Sequence, residues 1–285
     1  MTESKREALL IFYNLRDKYG SSHGKVNYYL KKILPMFEKV GIDRAVIELT
    51  RWCNMECKHC LRGERERLRI QKKYIDKFLD SVSYITMLTF TGGEPTLAVD
   101  LIEYTYEACI ERKIPVHNVW ATTNGKWKSH KFLNIMTKWI EYSNQFDGSL
   151  SGVSLSTDQF HDNLPEENYW FYRDYQYFEK SKDIGFMKAT IPEGRAAWNG
   201  LSTNDFRYTC DEVPNLQFFK EDLAVMDGLI YLNAKGDILF GCDYSFDNQE
   251  SYARFNVEDP LGFVGQLFLQ YDVELDNSVY KEVLA

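Results

Sequence analysis

The chain has 285 residues, 44% hydrophobic and 15% aromatic, which excludes a disordered polypeptide and allows either one large α/β barrel or two ordinary domains. Thirty-four basic against 42 acidic side chains leave a net charge of −8, which argues against a nucleic-acid polymer as partner, since that binding rests on neutralising phosphates. The opening, MTESKREALLIFYNL, holds no apolar run of membrane-spanning length and no cleavable small-residue site, so a cytoplasmic protein without membrane attachment is expected. There the six cysteines are expected as thiols, metal ligands or catalytic groups rather than disulfides.

Ser4 to Glu7 reads as a capping box ahead of a helix carrying Leu9, Phe12 and Leu15. A loop is expected from Gly20 to Lys25, then a helix from Val26 to Val40 interrupted at Pro35. From Arg44 onward short apolar runs alternate with amphipathic stretches, the pattern of βα units on a parallel sheet. Strands are expected at Ala45–Thr50, Ile85–Thr91, Val116–Thr123 and Gly152–Thr157, separated by helices at Ile70–Val82, Leu97–Arg112 and Lys131–Tyr142. Phe171, Tyr175 and Phe178 mark a fourth helix and Phe186–Ile191 a fifth strand. A sixth strand is expected at Leu229–Leu232, turning through Asn233 to Gly236 into Ile238–Phe240 as a hairpin, with a short tail from Asp243. Polar turns that all follow strands would lie together at the C-terminal face of a barrel, where barrel active sites form.

Three cysteines lie within eight residues, at Cys53, Cys57 and Cys60, just after the first strand. Thiolates suit zinc or iron–sulfur clusters. A structural zinc needs four ligands, and a second pair at close spacing is missing. Three ligands on a cubane of four irons instead leave one iron open for a small molecule. Plain burial of three thiols is the simplest alternative. A zinc-binding interaction module completed by Cys210 or Cys242 is another. Gly92 and Gly93 end the second strand without Cβ atoms, so backbone carbonyls can approach an ammonium, to which Glu94 can add a charged hydrogen bond. Ser154, Ser156 and Asp158 fall on one face of a period-two strand; Asp158 as a helix cap is the competing reading. Cys109 sits with Ile102 and Thr105 at helical spacing and reads as core.

The C-x3-C-x2-C spacing after a first strand, followed by Gly92-Gly93-Glu94-Pro95 after a second, resembles the radical S-adenosylmethionine (SAM) enzymes. The resemblance covers about Arg44 to Arg195. It implies an α/β fold, a partial (β/α)6 barrel spanning 44–228, with a helical N-terminal segment at 1–43 and a short hairpin and capping extension at 229–285. It further implies one 4Fe–4S cluster held by Cys53, Cys57 and Cys60, whose open iron chelates the amino and carboxylate groups of SAM. One electron then cleaves SAM to methionine and a 5′-deoxyadenosyl radical, which abstracts hydrogen from a substrate. An electron donor such as flavodoxin or ferredoxin is implied as a partner.

By the same resemblance, Gly92, Gly93 and Glu94 meet the SAM ammonium, and Thr123 and Asn124 match the family's third-strand ending. Ser156, or Ser154, meets the carboxylate, Asp158 the ribose hydroxyls, and Arg195 the carboxylate again. His59 lies where the family places a residue beside the adenine. Apart from the resemblance, the loop residue His161 is either a substrate-side acid or base or merely polar. The hairpin from Leu229 resembles the start of extensions that carry a second cluster in peptide-modifying members. Only Cys210 and Cys242 remain for one, so no second four-iron cluster is expected. The substrate is expected to be a peptide or protein, with a small molecule, either a metabolite or a nucleoside, as the alternative. Tyr172, Tyr177 and Trp198 are expected to form an aromatic lip at the barrel mouth.

Overall fold

The architecture begins with two helices, α1 (Glu3–Tyr19) and α2 (Gly24–Ile33), and a 3-10 turn at Leu34–Met36. The βα alternation then runs β1 (Val40–Thr50), α3 (Lys72–Asp80), β2 (Val82–Gly92), α4 (Val99–Arg112), β3 (Val116–Thr123), α5 (His130–Ser143) and β4 (Gly152–Leu155). After these come α6 (Glu166–Arg173), α7 (Gly194–Trp198), β5 (Asn215–Phe219), β6 (Asp222–Leu232), β7 (Asp237–Phe240), α8 (Phe246–Tyr252), β8 (Phe255–Asn256) and α9 (Gly262–Gln270). This computed structural model describes residues 3–157, 164–178, 190–201, 213–219 and 222–274.

One sheet carries the fold, in the order β4-β3-β2-β1-β6-β7-β8, with β5 paired to β6. β1 to β4 are mutually parallel and β6 is parallel to β1, whereas β5, β7 and β8 join antiparallel. The molecule is therefore a mixed α/β fold built on a partial barrel. β1 is buried along nearly its whole length, as expected for a parallel strand covered on both faces. The helices supply the cover. α3 buries Ile75, Phe78 and Leu79, and α5 buries Phe132, Ile135, Met136 and Trp139, the faces expected from their spacing. Cys109 is fully buried on α4, and burial pushes its thiol up to about 12. Phe12, Phe37 and Phe268 meet in ring contacts that tie the N-terminal helices to α9 in one continuous core. Among the described residues no helix is long and apolar enough to cross a membrane.

Several boundaries differ from the sequence reading. α1 starts at Glu3, which puts Ser4 inside the first turn instead of at its cap. Pro35 diverts the second helix into its 3-10 turn, and the chain is extended from Val40, five residues earlier than expected, because Val40 to Ile42 pair with both β2 and β6. Glu166–Arg173 is too short to hold Tyr175 and Phe178, which lie in the turns after it. The inward face is accordingly shifted: Tyr172 is fully buried and donates to the Trp127 carbonyl at 2.6 Å, so it belongs to the core and not to a lip. Tyr177 packs partly buried against Tyr175, while Trp198 is 56% exposed. The strand expected at Phe186–Ile191 lies almost wholly outside the described residues. The expected sixth strand is real but longer, and it sits beside β1, bracketed by antiparallel partners.

A buried polar network locks that junction. Glu48 and Arg51, 0% and 1% exposed, pair at 2.9 Å, and Glu48 also accepts from Tyr231 Oη at 2.6 Å, Gln249 Nε2 at 2.7 Å and the Ala234 amide at 3.1 Å. Arg51 continues to Gln249 Oε1 at 2.7 Å. Removing one member of such a pair leaves an uncompensated buried charge. Glu48→Ala is therefore expected to lower unfolding stability by about 3 kcal/mol in urea denaturation, and a change below about 1 kcal/mol, the scale of an exposed pair, would contradict this account.

Candidate functional site

The parallel register brings the C-terminal ends of β1 to β4 to one edge: Thr50 pairs with Gly92, Phe90 with Ala121, and Thr123 with Leu155. The loops leaving these ends surround a cleft of about 280 Å³. Its walls hold Cys53, Cys57 and Cys60 from the first loop, Gly92, Gly93 and Glu94 from the second, Asn124 from the third and Ser156 from the fourth. His59, Arg62 and Thr122 complete much of the lining.

Local backbone hydrogen bonds make this gathering possible. Residues 66–70 return along the end of β1, with Arg51 N donating to Leu68 O, Glu66 N to Arg51 O and Ile70 N to Leu49 O, which closes the cysteine loop at its base. Gly93 N donates to Thr50 O at 2.6 Å and Glu94 N to Trp52 O at 3.1 Å. A Cβ on Gly92, whose φ is +142°, would lie 2.2 Å from Thr50 O, and one on Gly93 would lie 2.3 Å from Trp52 O. Both glycines are thus required by the approach of two strand ends, before any ligand is considered.

Glu94 is 1% exposed, and its carboxylate accepts from Thr96 N at 3.1 Å, Thr96 Oγ1 at 2.7 Å, Thr123 Oγ1 at 2.6 Å and Asn124 N at 2.9 Å. Four donors fill a carboxylate's acceptor positions. Burial raises its proton affinity, and these bonds oppose that rise. The carboxylate expected to meet an ammonium therefore ties the ends of β2 and β3 together, which leaves the backbone of Gly92 and Gly93 to face the cleft. Thr123 serves Glu94 and is not in the lining.

Asn124 Nδ2 donates to Asn54 Oδ1 at 2.8 Å and to Cys53 Sγ at 3.6 Å, so the third loop is bonded directly to the cysteine loop. Ser156 lines the cleft, whereas Ser154 bonds to Thr122 Oγ1 at 2.8 Å and is absent from the lining. Asp158, His161 and Cys210 lie outside the described residues. Arg195 does not reach the cleft. Its Nε donates to Gly63 O at 3.1 Å and its amide to Cys60 O at 2.9 Å, bracing the cysteine loop from behind. Gly194, at φ +51°, permits that contact, because a Cβ would lie 2.4 Å from Leu61 O.

All three loop cysteines are free thiols. Among the described residues no three His, Cys, Asp or Glu side chains close on a single ion. Burial pushes the Cys53 thiol up to about 11, so it stays protonated at neutral pH unless a bound cation displaces the proton. Beside it, the buried Nδ2 of Asn54 has no acceptor among the described residues.

Comparison with known proteins bears on this arrangement directly. Residues 47–168 match the family described as the Radical SAM superfamily. That stretch is similar to a radical SAM domain. No curated protein matches the chain. Among solved structures, "Native anSMEcpe with bound AdoMet and Kp18Cys peptide" is similar at a TM-score of 0.50 and 13% identity, over 80% of each chain. A structure of SuiB from Streptococcus suis aligns at a TM-score of 0.37 and 14% identity, over 96% of this chain and 83% of that one.

The matched stretch runs from within β1 to the start of α6 and contains every residue that lines the cleft. The family whose model matches this stretch works with a 4Fe–4S cluster and SAM, which favours that donor chemistry over a zinc-binding interaction module. The donor set fits the cluster: three free thiols share one cleft, and a buried amide donor beside them lacks an acceptor. Sequence reasoning missed the supports of the domain's cysteine loop. Arg62 Nη1 donates to Tyr244 O at 2.7 Å and its guanidinium lies over the Tyr231 ring at 5.0 Å. Glu193, 2% exposed, accepts from the Ser245 amide at 2.9 Å and from Asn248 Nδ2. Both link residues far apart in sequence, and a charged residue read alone gives no signal of burial. Cys242 packs beside Val46, Leu229 and Tyr231 and is not in the cleft lining.

Proposed function

We propose that the chain is a cytoplasmic radical SAM enzyme that cleaves SAM reductively and takes a hydrogen atom from a peptide or protein. The observation that carries the reading is the single cleft that gathers Cys53, Cys57 and Cys60 with Gly92, Gly93, Asn124 and Ser156. When bound there, the cluster and SAM supply a 5′-deoxyadenosyl radical, the hydrogen-abstracting agent. Cys53, Cys57 and Cys60 hold the cluster. The carbonyls of Gly92 and Gly93 accept from the ligand ammonium, while Ser156 and Arg62 take its carboxylate. His59 offers a flat ring for the adenine. Glu94 and Thr123 keep the turn rigid so that these groups stay in place, and Asn124 orients Cys53.

Two features support a peptide substrate. The hairpin of β6 and β7 extends the sheet past β1, and its sequence resembles the start of the extensions of peptide-modifying family members. The net charge of −8 disfavours a polynucleotide without disfavouring a peptide. The test is 5′-deoxyadenosine formation without oxygen, in the presence of dithionite, with peptides and nucleosides encoded or made near the gene. Hydrogen transfer from a peptide carbon is expected. Stimulation by a nucleoside or sugar alone, with hydrogen taken from its own carbon, would overturn the peptide assignment and leave the radical chemistry standing.

A further inference from the structure

A second cleft, of about 350 Å³, lies against the cysteine loop and is lined by Thr50, Trp52, Arg67, Arg69 and Leu97. It shares no lining residue with the first cleft, and the two meet at the peptide joining Trp52 to Cys53. The Trp52 ring sits beneath two guanidinium groups, Arg65 at 4.9 Å and Arg67 at 5.3 Å, and Arg65 also donates to the Cys53 carbonyl at 3.3 Å.

The charge here runs against the rest of the chain. Residues 62–73 contain six basic and two acidic side chains in a protein of net charge −8. Arg67 is exposed and forms no ion pair among the described residues. Arg65 and Arg69 pair with Glu56 and Asp100, whose side chains are 63% and 54% exposed. Such pairs are weak and exchange readily for a partner's carboxylates. An aromatic and an aliphatic side chain rimmed by arginines is the composition of a protein-binding patch.

We propose that this cleft is the docking site of an acidic one-electron carrier protein. The inference rests on the function proposed above, in which an electron must reach the cysteine loop while SAM fills the first cleft. The carrier loses one electron and the cluster gains it, with no bond made or broken and no proton moved. Trp52, adjacent to a cluster ligand, gives the docked carrier its closest approach. The acidic chain as a whole repels such a carrier. Within a Debye length of about 8 Å, however, the local arginines dominate and orient it.

The test compares two reductants on the anaerobically reconstituted enzyme, wild type and Arg67→Glu/Arg69→Glu. Neither arginine lines the cofactor cleft, so dithionite-driven SAM cleavage is expected to remain within about twofold of wild type. Flavodoxin binding to the reconstituted enzyme, read by calorimetry, and cleavage driven by reduced flavodoxin are both expected to weaken by about tenfold or more at low salt in the variant, and both are expected to weaken for wild type as salt is raised. Equal flavodoxin-driven rates in the two proteins would overturn the proposal, as would an equal loss with dithionite, which would assign the patch to the substrate or to the fold. Absence of SAM cleavage by wild type with dithionite would instead refute the underlying function.

Discussion

Cys57→Ala protein, prepared without oxygen, is expected to lose most of its iron and to form no 5′-deoxyadenosine from SAM. Cys57 is a free thiol on the wall of the cleft, between Cys53 and Cys60 on one short loop. Each thiolate holds one corner of a cubane, and no other described cysteine is placed to replace it, since Cys109 is buried on α4 and Cys242 is not in the lining. Loss of an outer contact to a metal ligand already costs about 10- to 100-fold in affinity, so loss of a ligand should cost more than about 100-fold. Iron analysis and product chromatography read both effects. Iron at the wild-type level together with undiminished SAM cleavage would remove Cys57 from the metal site.

The second large effect is expected at Glu94. Glu94→Gln keeps the shape of the side chain but turns an amide NH2 toward donors, opposing Asn124 N or Thr123 Oγ1. A buried donor left without an acceptor costs about 1 to 3 kcal/mol. That loss should appear as lower stability in urea, because the carboxylate is spent inside the chain. SAM affinity is expected to follow stability, through loosening of the Gly92–Glu94 turn. Unchanged stability with a tenfold loss of SAM affinity would show that the carboxylate faces the ligand.

What was legible in the sequence follows from the range of the interactions concerned. The cysteine triad, the Gly-Gly turn and the strand Val116–Thr123 are local patterns; the strand forms as read, and the cysteines and glycines line one cleft. The hydrogen bonds of the Glu94 carboxylate were not legible because its partners Thr123 and Asn124 are 29 and 30 residues away. The bond from Arg195 to a carbonyl 132 residues earlier is equally out of reach of a local reading. β5 escaped notice because its pairing to β6 is what makes Asn215–Phe219 a strand. The Glu48, Arg51 and Gln249 network was invisible for the same reason, since charged side chains read in isolation belong on the surface. The aromatic run after Glu166 failed for another reason: spacing alone does not say where a helix stops, and α6 stops at Arg173.

The most direct test of the central claim is the metal content of the purified wild-type protein, handled without oxygen and assayed for SAM cleavage in the same preparation. About four irons and four sulfides per chain, a brown colour and 5′-deoxyadenosine on reduction are the predicted result. Colourless protein holding zinc, or an iron-loaded protein that leaves SAM intact under reducing conditions, would contradict it.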